Sequence, residues 1–349
     1  MSLTRWSGLI SCFALLVGCS GDGSGGGDTK FISLGTAPVG GAFNQVGTEI
    51  AEALNKSEGE KDWKVQSQTT KGSQENIRKL SSGDLQLALS NSAITYFAVR
   101  GEGGFKQTHN TRAVATIAPN VAMFITKADS GIKTMQDLKG KTVVCGPSGA
   151  GFEMFLEPIL KAHGLTFDDF NAKNAGQSDA VELIADNSAD AAFLGGAVPT
   201  AAISQACSTH DIHFIPYDDA AMEELIDEFP FFQAVTIPQK VYSDLTGDFK
   251  SMNTGSMHFV TSADQSEDFI YAITKALWEN RKNINHPASK FISEENAARY
   301  TGTEFHPGAI KFYKEAGIWQ GEDSTDEPPA DEKPTDEKAD TKAEDESKE

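Results

Sequence analysis

From residue 30 to residue 320 the apolar positions alternate between two periods. Phe31 to Gly35 reads as a short buried strand, and Phe43, Val46, Ile50 and Leu54 follow it at helical spacing. Ile77 and Leu80 predict a second helix, Leu85 to Ser90 a strand, and Val114 to Ile117 and Val121 to Thr126 two more. After a strand at Lys141 to Cys145, a helix over Phe152 to His163 stops at Gly164, a good residue for the left-handed C′ position. Val181 and Ile184 mark a helix before the strand Ala191 to Leu194. Met222, Leu225, Ile226 and Phe229 mark another, which Pro230 closes. Met257 to Thr261 is a strand, and Ser266 caps the helix that carries Phe269, Ile270, Ile273 and Leu277 on one stripe. Pro307 opens a last helix with Ile310, Phe312 and Tyr313. This alternation predicts an α/β fold of mostly parallel sheets covered by helices, which bind ligands at the carboxyl ends of their strands. In a chain of 349 residues, two such lobes with a cleft between them suit the length.

The two ends do not share the pattern. Arg5 is a minimal positive region, Leu9 to Val17 an apolar run, and Leu16-Val17-Gly18-Cys19 looks like a bacterial lipobox. Residues 1–18 are therefore expected to be a lipoprotein signal peptide, with Cys19 as the lipid attachment and residues 19–29 as a flexible Gly/Ser/Asp tether. The expected location is the bacterial cell envelope, outside the cytoplasmic membrane (periplasmic) and held to it by the lipid. Residues 321–349 hold 13 acidic residues, four lysines, Pro328, Pro329 and Pro334, and no Val, Ile, Leu, Phe, Tyr or Trp. Such a segment cannot bury apolar surface and reads as a disordered acidic tail.

Charge and chemistry narrow the function mainly by exclusion. The net charge of −20 divides into +1 from residues 1–19, −9 from the tail and −12 from the body. A nucleic-acid surface needs a concentrated basic patch, which this balance argues against, so no nucleic-acid partner is expected. There is no run of about 18 apolar residues that would span a membrane, no G-x-S-x-G, no Walker loop and no complete dinucleotide fingerprint. The seven histidines make no H-x-x-x-H pair, so neither a metal nor another cofactor is expected, and no enzyme. Asp168-Asp169 and Asp218-Asp219 sit at helix starts, where capping explains them. Once Cys12 leaves with the signal and Cys19 carries lipid, Cys145 and Cys207 remain; an oxidising compartment permits a disulfide, and a buried free thiol fits equally.

Three strand-to-helix turns are rich in glycine, which lets backbone approach a ligand closely. They are Val39-Gly40-Gly41-Ala42-Phe43-Asn44, Gly146-Pro147-Ser148-Gly149-Ala150-Gly151-Phe152-Glu153 and Gly195-Gly196-Ala197-Val198-Pro199-Thr200. In this order, and with the stretches Phe31 to Leu54, Ser130 to Gly151, Ala180 to Ile203, Phe229 to Val241 and His306-Pro307-Gly308-Ala309 to Gly317, the chain resembles the TAXI family of solute receptors. These are the extracytoplasmic subunits of tripartite ATP-independent periplasmic (TRAP) transporters. The resemblance spans roughly residues 30 to 320. It implies the two-lobed periplasmic-binding-protein fold of the second type, a hinged trap for a small organic solute, and an ion-gradient-driven TRAP permease as partner. The implied crossings near Asn120 to Thr126 and Phe232 to Ile237 divide the chain into lobe one (30–121 and 233–320) and lobe two (122–232).

The departures from the family pattern concern the cleft. Where these receptors usually have Gly-Gly-Thr-Tyr-Tyr and Gly-Ser-Gly-Thr-Glu, this chain has Gly40-Gly41-Ala42-Phe43-Asn44 and Gly149-Ala150-Gly151-Phe152-Glu153. Five side-chain hydroxyls are thereby lost. The usual Gln-Ser-Asp reads Asn91-Ser92-Ala93, and an expected acid is Asn120. Each unsatisfied polar group of a ligand costs about 1–3 kcal/mol, so a glutamate-like solute would bind poorly. Two outcomes fit. In one, the pocket is rebuilt for a larger or more apolar carboxylate. The residues carried over to it are Gly40, Gly41, Ser148, Gly149, Ala150, Gly151, Ala197, Val198 and Pro199 as frame, Phe43 and Phe152 as walls, and Asn44, Asn91 and Asn120 as polar anchors. In the other, solute binding is lost and the protein acts through a partner. Phe43 and Phe152 fit ordinary core positions equally well.

Overall fold

The computed structural model describes residues 29–38, 42–59, 61–319 and 321. The expected signal peptide, nearly all of the expected tether including Cys19, Gly40, Gly41 and nearly all of the acidic tail lie outside the described residues.

Two sheets organise the chain. The first has five strands, β1 (Lys30–Gly35), β2 (Trp63–Gln68), β3 (Leu87–Asn91), β4 (Thr111–Thr116) and β12 (Met257–Ser262), in the order β2-β1-β3-β12-β4. The second joins β5 (Val121–Lys127), β6 (Thr142–Val144), β7 (Asn171–Lys173), β8 (Ala191–Gly196), β9 (Ile212–Ile215), β10 (Phe232–Ile237) and β11 (Phe249–Thr254). Its order is β10-β11-β5-β8-β6-β7, with β9 also paired to β5. This is the two-lobed periplasmic-binding-protein fold of the second type.

Both sheets are mixed rather than mostly parallel. β1 runs parallel to β2 and β3, but β12, which brings the chain back, lies between β3 and β4 and runs against both. β5 likewise runs against β8, β9 and β11. A strand inserted after a crossing is not constrained to the direction that a βα unit imposes. The chain leaves the first sheet after β4 and enters the second at Val121. Its return needs a correction to the sequence boundary: β10 and β11 pair with each other and, through β11, with β5, so residues 232–254 belong with lobe two. The crossing is the two-residue link Gly255-Ser256. Phe232–Ile237 reads from sequence as an apolar crossing strand, but it is an edge strand, and sequence does not show its partner.

Nine α-helices cover the sheets among the described residues: α1 (Ala42–Lys56), α2 (Ser73–Ser82), α3 (Ser92–Arg100), α4 (Phe152–Ala162), α5 (Gln177–Ala185), α6 (Ala201–Thr209), α7 (Asp219–Glu228), α8 (Glu267–Asn280) and α9 (Pro307–Glu315). Their ends follow from local chemistry. Ser266 accepts the Phe269 N–H at 3.3 Å, and Asp218 accepts those of Ala220 and Ala221 at 3.0 and 3.2 Å. His306 caps α9 by accepting the Gly308 N–H at 3.2 Å, with Pro307 in the first turn. A Cβ at Gly308 would stand 2.2 Å from the Glu267 carbonyl, so only glycine lets α8 and α9 approach this closely.

In lobe one the main core packs α1, α8 and α9 on the sheet through Ile32, Leu34, Ile50, Leu54, Phe259, Ile273 and Tyr313. One face of the lobe-two sheet buries Met123, Ile125, Leu194 and Ile203. The third cluster is shared: Ile77, Ala93, Ile94 and Phe105 of lobe one pack with Phe124, Met154, Phe155, Phe193 and Phe231 of lobe two. Cys145 is buried in it and Cys207 is half-buried elsewhere, both as free thiols. Burial pushes the Cys145 thiol up to about 12, so it serves as a small hydrophobe.

Candidate functional site

The carboxyl end of β3 in lobe one and that of β8 in lobe two lie at the hinge, where Asn91 reaches Gly255 and Gly195 faces Asn120. There each strand turns into a helix whose first N–H groups lack helical partners. Across the cleft the N-termini of α2 and α3 meet that of α4. A Cβ built on Gly72, the residue before α2, would lie 3.6 Å from the Ala150 Cβ, and one built on Gly151 would lie 2.9 Å from Ile94 Cδ1 and 3.6 Å from Gln74 Cβ. Summed helix dipoles make this meeting point positive, in a body that is acidic as a whole.

The hinge is a polar network. Asn91, 3% exposed, caps α3 by accepting the Ala93 N–H at 2.8 Å and donates through Nδ2 to the Gly255 carbonyl at 3.0 Å. Asn120 donates its backbone N–H to Asn253 Oδ1 at 3.0 Å and its amide to Thr254 Oγ1 at 3.4 Å. Thr254 returns an N–H to the Asn120 carbonyl at 2.9 Å. Asn253 reaches Ser256 Oγ at 3.0 Å, and Arg299 reaches the same oxygen at 2.8 Å. His258, fully buried on β12, contacts Thr301 Oγ1 at 2.5 Å. Desolvation first, then the Arg299 charge, pulls its pKa down to about 3.

Asn91, whose Nδ2 also lies 3.5 Å from the Thr254 carbonyl, and Asn120 are thus brought together on Thr254. Asn44 stands apart at the end of β1, where its amide donates to Thr36 Oγ1 and the Ala37 carbonyl, both at 3.1 Å. Phe43 packs against the main lobe-one core, whereas Phe152 packs on Phe155 with ring centroids 5.2 Å apart and closes over Gly146 in lobe two. Ser148 and Gly149 are exposed, while Ala150 and Gly151 are buried against lobe one. Ala197 and Val198 are half-buried, Pro199 is exposed, and Val198 leans on the lobe-two core. The turn before them comes close to the hinge, since a Cβ at Gly195 would stand 3.4 Å from Asn120 Oδ1. Gln177, at the start of α5, donates to the Gly195 carbonyl at 2.7 Å.

Gly72, Gln74, Ile94 and Gln177 were not among the residues expected from sequence. Gly72, at the start of a helix without a side-chain cap, is a weak local signal. The other three are marked only by partners distant in the chain.

Residues 34–317 match the family model described as the NMT1-like family. The chain belongs to the NMT1-like family. The match takes in both lobes, the hinge and every described residue expected at the cleft. Solved structures similar to this NMT1-like chain include the alkanesulfonate-binding protein SsuA from Xanthomonas axonopodis pv. citri bound to MOPS. It is 13% identical, with a TM-score of 0.44 over 82% of this chain and 79% of that one. PhnD1 from Prochlorococcus marinus in complex with methylphosphonate is 16% identical, with a TM-score of 0.48 over 83% and 99%. A binding protein component of an ABC phosphonate transporter from Pseudomonas aeruginosa is 13% identical, with a TM-score of 0.49 over 74% and 78%. No helix among the described residues is long and apolar enough to cross a membrane.

Proposed function

We propose that this NMT1-like protein is a lipid-anchored, extracytoplasmic solute-binding subunit. It takes a small organic carboxylate between its lobes and delivers it to an ion-gradient-driven permease of the TRAP type. The observation that carries the reading is the meeting of the α2 and α3 N-termini of lobe one with the α4 N-terminus of lobe two, beside a two-strand hinge. Helix N-termini favour an anion, and two lobes joined by short crossings close around one. Ala197 and Val198, half-buried at the turn beside the hinge, with the partly buried Phe152 over Gly146, supply an apolar surround. The solute is therefore larger or more apolar than glutamate. The TRAP permease and the acyl group on Cys19 rest on the sequence resemblance and the lipobox.

A second reading, in which the protein acts through a partner without a transported solute, is favoured by one finding. The amides of Asn44, Asn91 and Asn120 all bond within the protein, leaving fewer free anchors. Native mass spectrometry of the full chain from an expressing bacterium separates the two. A stoichiometric co-purifying organic acid supports the first reading. A solute-free chain that stays bound to an envelope protein through washing supports the second.

A further inference from the structure

The lobes touch directly along a seam on one side of the hinge. We propose that this seam latches the lobes on each other without a solute, so that the closed form is the resting state and solute entry requires the latch to open. The inference rests on the solute-binding reading above, but its test needs no solute.

Four contacts build the seam. Ala150 is buried against Gly72, and Gly151 lies under Ile94, so closely that a Cβ there would stand 2.9 Å from Ile94 Cδ1. Met154 of α4 reaches the loop after α3: a Cβ at Gly104 would lie 2.8 Å from its Cε, and one at Gly103 3.3 Å from its Cγ. Tyr96 and Phe97 of α3 pack on the segment that follows α7. Tyr96 lies 5.1 Å from Phe231 and 6.2 Å from Phe229, and Phe97 lies 5.7 and 6.1 Å from the same two rings. Gly302 completes this corner, where a Cβ would meet Tyr96 at 2.4 Å and Pro230 at 2.8 Å.

Every lobe-one partner in this set is matched by a small or apolar residue of lobe two. The result is one buried cluster that runs through both lobes. Ion pairs instead sit inside the lobes, as Lys250–Asp219 and Arg112–Glu304 do. Contacts of this composition gain from being dry whether or not a ligand is present. A trap that closes only on its solute needs the opposite: lobe faces that remain wet and apart until the solute bridges them.

The 3.6 Å spacing of the Gly72 and Ala150 Cβ positions falls in the range of a disulfide, which gives a direct test. In the full chain with Cys12, Cys19 and Cys207 replaced by serine, Gly72→Cys with Ala150→Cys should oxidise readily without solute and lose both alkylatable thiols. Gly72 has φ +121°, which strains any cysteine placed there, so a second measurement accompanies it. Spin labels on exposed Lys71→Cys and Glu157→Cys in the same background should give one narrow, short distance distribution without solute. Adding Ala150→Arg should wedge the seam and produce a longer population. A broad or long distribution in the unwedged protein, or one that Ala150→Arg leaves unchanged, overturns the latch. An empty solute screen with a closed resting state would count against the solute reading alone; a solute hit with an open resting state would count against the latch alone.

Discussion

Replacing Asn91 by alanine separates a structural hinge residue from a solute anchor. The side chain is 3% exposed and makes two strong contacts, one to the Ala93 N–H that it caps and one to the Gly255 carbonyl in the return crossing. Loss of an N-cap costs about 1 kcal/mol, and a buried carbonyl left without its donor adds about 1–3 kcal/mol. Asn91→Ala should therefore destabilise the protein by about 2–4 kcal/mol, a drop in Tm of roughly 3–7 °C for a body of this size. Serine keeps a capping oxygen but is too short for Gly255, so Asn91→Ser should recover about 1 kcal/mol of the loss. Urea unfolding followed by circular dichroism measures both variants, with an unchanged m-value showing that the denatured state is not the cause. If Asn91→Ala lies within about 0.5 kcal/mol of wild type and only solute binding falls, the hinge assignment is refuted and Asn91 is an anchor.

Other consequences follow from the same geometry. Gly255→Ala would place a Cβ 2.1 Å from Asn91 Oδ1 at a residue with φ +115°, so this variant should fail to accumulate as soluble protein; a normal yield would contradict the crossing described. His258 has a folded pKa of about 3, below its unfolded value, so the unfolded chain binds the extra proton as pH falls and stability is lost below about pH 6.5. Between pH 7 and pH 5 this one residue should cost about 2 kcal/mol, which His258→Gln should remove; parallel pH–Tm curves for the two proteins would refute it. Weakening the latch with Tyr96→Ala should strengthen solute binding, because apparent affinity rises in proportion to the open fraction while that fraction is small. Titration calorimetry showing weaker binding at unchanged Tm would place Tyr96 in the pocket instead.

Much of the fold was legible because its helices bury one face only. In α1, Val46, Ile50 and Leu54 are buried while the opposite side is wet, and in α8 the buried stripe is Ile270, Ile273 and Leu277. α3 was missed because it has no polar face to set a period: Ala93, Ile94 and Ala98 are buried, and Tyr96 and Phe97 pack across the seam. Its boundary signals were present nonetheless, with Asn91 as cap and Gly101 at φ +72° as the stop. The glycine turns were visible, but what they touch was not. Gly151 under Ile94 and Gly302 between Tyr96 and Pro230 depend on tertiary neighbours that no local pattern encodes. The asparagines read from sequence as anchors have their amides turned to the hinge or to the end of β1, since a buried amide takes the nearest backbone partners.

The central claim is that two lobes joined at the Gly255-Ser256 hinge enclose an organic anion. A thermal-shift screen of the full chain against organic, amino and aromatic acids tests it most directly. At one hundred times its dissociation constant a true solute should stabilise the protein by about 2.7 kcal/mol, and the responding acids should be larger or more apolar than glutamate. Strong stabilisation by glutamate or 2-oxoglutarate would contradict the rebuilt pocket. No response to any acid in a broad panel would contradict solute binding itself.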